Sequence, residues 1–132
     1  MNDTVSRFAP HAFAILRIVV GLLFAMHGSQ KLLGFPGDKP PVELASMMGL
    51  AGISELAGGL LMAFGLLTRI AAFLSSGTMA VAYFMAHASQ HPLPIINQGE
   101  LAVVYCFVFL YIWAHGPGIW SLDGLLRRNR TV

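Results

Sequence analysis

A carboxylate in the middle of an apolar stretch constrains this chain more than any other feature. From Val42 to Leu67 the sequence is long enough to cross a bilayer's hydrocarbon core, which takes about 20 apolar residues, yet Glu55 stands near its middle. A charged group at bilayer depth costs on the order of 3 kcal/mol or more, so it faces a bundle interior, pairs with another polar group, or is held neutral. Gly52, Gly58, Gly59 and Gly65 surround it, and small residues let neighbouring helix backbones approach closely. Glu55 is therefore expected to be a buried hub.

The rest of the chain supplies a bundle for that hub. Of its 132 residues, 56% are hydrophobic and only 11% charged, and the mean hydropathy is +0.69, far too apolar for a soluble domain of this length. The partner this implies is the lipid bilayer. Basic residues are scattered except for Arg127, Arg128 and Arg130, which excludes a nucleic-acid surface. Cys106 is the single cysteine, so neither a disulfide within the chain nor dithiol chemistry is available, and it reads as a small buried hydrophobe. The first apolar stretch lacks a small-x-small cleavage site and three more follow it, so no cleaved signal peptide is expected.

Four spans are predicted, at about residues 11–33, 42–67, 69–88 and 97–114. They make an all-α integral membrane protein, a four-transmembrane-helix bundle in one membrane domain over residues 1–132, preceded by a short polar stub from Met1 to Pro10. In span one, Arg17, Gly21, Phe24, Gly28 and Lys31 share a stripe that should face protein. The breakers from Gly34 to Pro41 force a loop. Only Thr68 and Arg69 separate spans two and three, which predicts a tight hairpin with Thr68 as N-cap. Ala72, Ser76 and Ala80 predict a close helix contact on span three. After Gly116, the segment from Ser121 to Arg128 reads as a short interfacial helix with Ser121 as N-cap and Asp123 at its positive end. Arg7, Arg17, Arg69 and the terminal arginines share one side, against Lys31 and Lys39, so the positive-inside rule predicts both termini in the cytoplasm.

Two polar groupings follow from depth, counted at about 1.5 Å per residue. Arg17 and His27 bracket Glu55, and an Arg17–Glu55 pair would neutralise two insertion costs while fixing helix register. Against that lock stands a proton-responsive or ligand-binding role for Glu55. At the outer end, His27, Lys31, His87, His91, Asn97, Gln98 and Glu100 come from three spans and can surround one shallow cup. Imidazole and carboxylate ligands on His27, His87 and Glu100 suit a divalent metal in principle, but no two-ligand motif on one helix supports it, so no metal is assigned. A quinone headgroup or small polar molecule, flanked by Phe24, Tyr83, Phe84 and Phe107, fits the same donors. Snorkelling of each residue to the interface is the plain alternative, and Met47, Met48 and Met62 read as adaptable packing.

Arg17 with Gly21-Leu22-Leu23-Phe24-Ala25-Met26-His27-Gly28 and Lys31-Leu32, Glu55-Leu56-Ala57-Gly58-Gly59-Leu60, Gly65-Leu66-Leu67-Thr68-Arg69, His87, Asn97-Gln98-Gly99-Glu100, and Gly116-Pro117-Gly118 with Ser121-Leu122-Asp123 together resemble the DoxX family of small bacterial inner-membrane proteins. The resemblance covers nearly the whole chain in block order. It implies a four-helix membrane protein, some relatives belonging to thiosulfate:quinone oxidoreductase and others linked to thiol and oxidative-stress defence with superoxide dismutase and a sulfurtransferase.

The chain carries no self-contained catalytic motif, haem motif or dinucleotide fingerprint, so no intrinsic cofactor is expected, and a redox role would borrow a quinone or a partner subunit. The leading expectation is an accessory or membrane subunit of a redox or stress-response system, with Arg17, His27, Lys31, Glu55, His87, Asn97 and Glu100 as its ligand-binding or buried polar network. A small transporter or permeability factor using Glu55 and the outer cup is one alternative. A structural anchor for soluble partners is another, and a homo-oligomer is compatible with all three.

Overall fold

The computed structural model describes residues 3–130; Met1 and Asn2 of the stub, with Thr131 and Val132, lie outside the described residues. Among those described there is helix and no strand. Five helices organise the chain: α1 (Ala9–Leu33), α2 (Met47–Phe64), α3 (Thr68–Ala82), α4 (Glu100–His115) and α5 (Leu122–Asn129). Single helical turns, Asp3–Ser6 and Pro94–Asn97, precede α1 and α4. α3 runs on into a π-helical turn, Tyr83–His87, where the Ala88 amide reaches back five residues to the Tyr83 carbonyl at 2.9 Å. Among the described residues, three stretches are long and apolar enough to cross a membrane, namely α1 with its leading turn, α2, and Thr68–His87; α4 is apolar but has 16 residues.

Span two begins later than the sequence suggests. Val42 donates its amide to the Lys31 carbonyl at 2.8 Å, tying residues 42–46 back to the end of α1. Ser46 then starts the helix, its hydroxyl accepting from the Gly49 amide at 3.0 Å. Thr68 is likewise not an N-cap. It is the first residue of α3, after a left-handed Leu67 (φ 48°).

Glycine sets how closely α1 and α2 pack. A Cβ on Gly28 would stand 2.3 Å from the Leu56 nitrogen, and one on Gly59 would stand 2.4 Å from the Ala25 nitrogen. The backbones thus touch, as small residues permit in a membrane. Arg17, Gly21, Phe24 and Gly28 are buried as the stripe requires. Between α3 and α4 the contact runs through Ser76, whose hydroxyl donates to the Cys106 carbonyl at 2.8 Å. Phe24, Met62, Phe109 and Ile112 fill the middle of the bundle. The outer faces, with Leu22, Ile70, Phe73, Val104 and Phe107 exposed, form the continuous apolar surface a bilayer covers.

One end of the bundle is closed by charge. Arg17, fully buried, donates to the carbonyls of Met62 and Ala63 at the end of α2 and to those of Ile119 and Trp120 in the following loop, at 2.5 to 3.2 Å. Arg69 does the same for α4, donating to the Trp113 and Ala114 carbonyls. Helix C-termini carry unpaired carbonyls and partial negative charge, so guanidinium groups are well matched to them. Ser121 caps α5 as expected, accepting from the Gly124 amide at 3.2 Å.

Candidate functional site

The expected Arg17–Glu55 pair does not form. Arg17 is consumed by four helix-end and loop carbonyls, and Glu55 is paired instead with Lys31 of α1, through a hydrogen bond from Nζ to Oε1. Depth separates the two: Arg17 lies level with the end of α2 at Met62 and Ala63, whereas Lys31, on the same stripe of α1, lies beside Gly52 and reaches Glu55 one turn further along. Glu55 is 3% exposed. Its second oxygen, Oε2, is buried without a hydrogen-bond partner. A buried acceptor left unmatched costs about 1–3 kcal/mol or more.

That carboxylate lines a cavity of about 220 Å³. Lys31 and His27 of α1, His87 of the π turn, and Gln98 and Tyr105 from the α4 side share the lining, with Phe24 and Met79 as apolar wall. The α1–α2 glycine contact places Lys31 against Glu55, and the π turn brings His87 to the same rim. His87 Nδ1 lies 3.0 Å from the Asn97 carbonyl oxygen; a carbonyl only accepts, so Nδ1 carries the hydrogen and Nε2 is the ring atom left for a ligand. His27 is exposed and meets Tyr105 edge-on at 6.1 Å.

Of the residues proposed from sequence, His27, Lys31, Glu55, His87 and Gln98 meet here, and Arg17, His91, Asn97 and Glu100 do not line the cavity. Asn97 organises the outer loop instead, its amide donating to the His91 carbonyl at 2.7 Å and to the Tyr83 hydroxyl at 3.2 Å while its oxygen accepts from Gly99. Glu100 is exposed, and among the described residues no group of three His, Cys, Asp or Glu side chains can hold a metal ion. Phe24 flanks the cavity, but Phe84 and Phe107 are 70% and 65% exposed on the outer surface, and Tyr83 faces the Asn97 loop. Tyr105 is the residue the sequence reading missed. A phenol in the middle of the last apolar span was the available signal, since a buried tyrosine hydroxyl normally seeks a partner.

The chemistry of this donor set is specific. Lys31 keeps donors beyond the one it gives Glu55, Tyr105 and Gln98 can each donate or accept, and Oε2 asks for a donor. Aromatic and thioether walls accept a flat ring. Such a site suits a small molecule with a carbonyl or hydroxyl at the edge of a ring.

A family model described as DoxX matches residues 12–88. The chain is 40% identical over 129 residues to an uncharacterised protein of Haemophilus influenzae, covering 93% of this chain and 96% of the other. Inner membrane protein YqjF of Escherichia coli is 29% identical over 121 residues, 87% of this chain and 92% of that one. CatD of Bacillus subtilis, provisionally named an oxidoreductase, is 39% identical over 121 residues, with coverages of 88% and 87%. No solved structure matches.

Proposed function

The chain belongs to the DoxX family, and from that premise we propose that it is a bacterial inner-membrane protein that crosses the bilayer four times and holds a quinone-type headgroup between its helices as the membrane subunit of a redox system. The observation that carries this reading is the unmatched, buried Oε2 of Glu55 beside a ring-sized cavity with Lys31, His87 and Tyr105 on its wall. A quinone ring has carbonyl oxygens for the Lys31 ammonium and the Tyr105 hydroxyl, and its reduced form has hydroxyls that can donate to Oε2. When bound, such a group would supply the electron-carrying chemistry the side chains lack. Lys31 and Glu55 orient it and hold exchangeable protons beside it, and Phe24 and Met79 keep water from the ring. The naming of the CatD relative as an oxidoreductase supports the same direction.

For the fourth crossing, α4 lies antiparallel along all of α3: Arg69 at the start of α3 meets the carbonyls ending α4, and His87 at its far end meets the turn before α4. Four crossings in one domain put the termini together, and the arginine-rich end then faces the cytoplasm. The test is the quinone content of protein extracted with its native lipid into nanodiscs. A quinone-to-lipid ratio several-fold above that of protein-free discs from the same membranes is expected; equal ratios would defeat the reading.

A further inference from the structure

Lys31 and Ala82 line the cavity, and both also line a second, largely apolar groove of about 360 Å³ between the first half of α2 and the second half of α3. Met47, Met48 and Ala51 form one wall of the groove, and Gly77, Val81 and Met85 the other. Met48, Val81 and Met85 are 53%, 51% and 61% exposed, on the surface acyl chains would cover. The groove is open at Gly77, where a Cβ would meet no atom within 4 Å. Methionines adapt to flexible hydrocarbon better than branched side chains do. Lys31 stands between the two spaces in the way long basic side chains allow, with its stem beside apolar atoms and its ammonium on Glu55.

We infer that the ligand of the cavity is amphiphilic, a polar ring at the Lys31–Glu55 pair with a flexible hydrocarbon tail in the α2–α3 groove, and that it is taken from the bilayer and not from water. The inference rests on the ligand-site reading above. It adds the route, the tail and the residues that discriminate. A site for a water-soluble molecule would have no use for an apolar groove beside its most polar corner, whereas a membrane-dissolved molecule has a tail to place there.

The test uses the full chain in phosphatidylcholine nanodiscs, titrated with a decyl-tailed benzoquinone and with the same ring lacking the tail. Wild type, Gly77→Phe and Val81→Phe are compared, so that partition of the tailed form into lipid cancels. Wild type should prefer the tailed ring by about tenfold more than either variant does, because the buried methylenes of the tail are what a groove-filling side chain displaces. Affinity for the tailless ring should stay the same in all three, which also shows that the variants are folded. If a variant that keeps tailless affinity also keeps the full preference for the tail, the groove assignment is overturned while the cavity stands. Equal loss of both ligands in both variants overturns it too, since the groove would then not be separable from the ring site. If wild type binds neither ring, the ligand-site reading itself falls and takes this inference with it.

Discussion

Asp123 caps Thr68 across 55 positions of sequence, accepting from the Thr68 amide at 2.9 Å and from its hydroxyl at 2.8 Å, with a third bond from the Leu67 amide at 2.9 Å. The C-terminal helix α5 thereby supplies the N-cap that the α2–α3 hairpin lacks within its own sequence.

Stability should therefore depend on the charge of Asp123. Partial burial pushes its carboxyl up, but the bonds from Thr68 and Leu67 and the nearby Arg127 outweigh burial and hold it below its ordinary value. A depressed carboxyl stabilises the fold fully above its unfolded pKa of about 3.9 and loses that contribution as pH falls through the folded value. Thermal unfolding in detergent should show wild type losing stability below about pH 4. Asp123→Asn should be weaker at pH 6, by about 1 kcal/mol as for a lost cap, and flatter across the acid range. An identical pH profile in the variant would remove Asp123 from this role.

Arg17 is expected to act as a structural clasp, independent of Glu55. Arg17→Gln takes the guanidinium from the carbonyls of Met62, Ala63, Ile119 and Trp120, which should cost about 3 kcal/mol or more. Combined with Glu55→Gln, the two losses should add to within about 0.5 kcal/mol, as for sites without shared partners. Strong coupling in the double-mutant cycle would restore the Arg17–Glu55 lock.

Two glycine replacements should behave oppositely. Gly77→Ala adds a methyl group in open space and should stabilise α3 by up to about 1 kcal/mol through helix propensity. Gly59→Ala drives its Cβ to 2.4 Å from the Ala25 backbone and should part α1 from α2, lowering the unfolding midpoint and folded yield. Equal midpoints for the two variants would contradict the close backbone contact.

Much of this fold could be read from the chain because membrane helices carry their signals locally. The breakers from Gly34 to Pro41, the buried stripe from Arg17 through Gly28 and the Ser121 cap each depend on neighbours within a turn or two. The miscast parts were long-range. Val42 looks like the start of a span until its amide is seen tied to Lys31, and nothing near Asp123 announces that it caps Thr68. For the site, depth groups His27, Lys31 and His87 at the outer end but sets Glu55 apart from Lys31 and His87, between Arg17 and His27, because a span counted from Val42 carries Glu55 deeper than the helix that starts at Met47 does. Nor does depth say which way Glu100 turns about its helix axis, because azimuth is fixed by packing partners far away in sequence.

Topology offers a further check. In a Cys106→Ala background, Ser89→Cys should react with an impermeant maleimide added to intact spheroplasts, and Ser6→Cys only after lysis. The reverse pattern would invert the membrane orientation proposed from the arginine-rich end.

The Lys31–Glu55 pair is the point where a lock and a ligand site part company. Removing both charges together in Lys31→Met with Glu55→Gln should leave folding near wild type, since replacing a buried pair whole is often neutral or stabilising. Binding of the tailed benzoquinone to that double variant in nanodiscs is the decisive quantity. Loss of binding by a factor of about ten or more, with the unfolding midpoint preserved, is expected if the pair holds a ligand. Undiminished binding by the folded double variant would contradict that account and leave Lys31 and Glu55 as a structural pair.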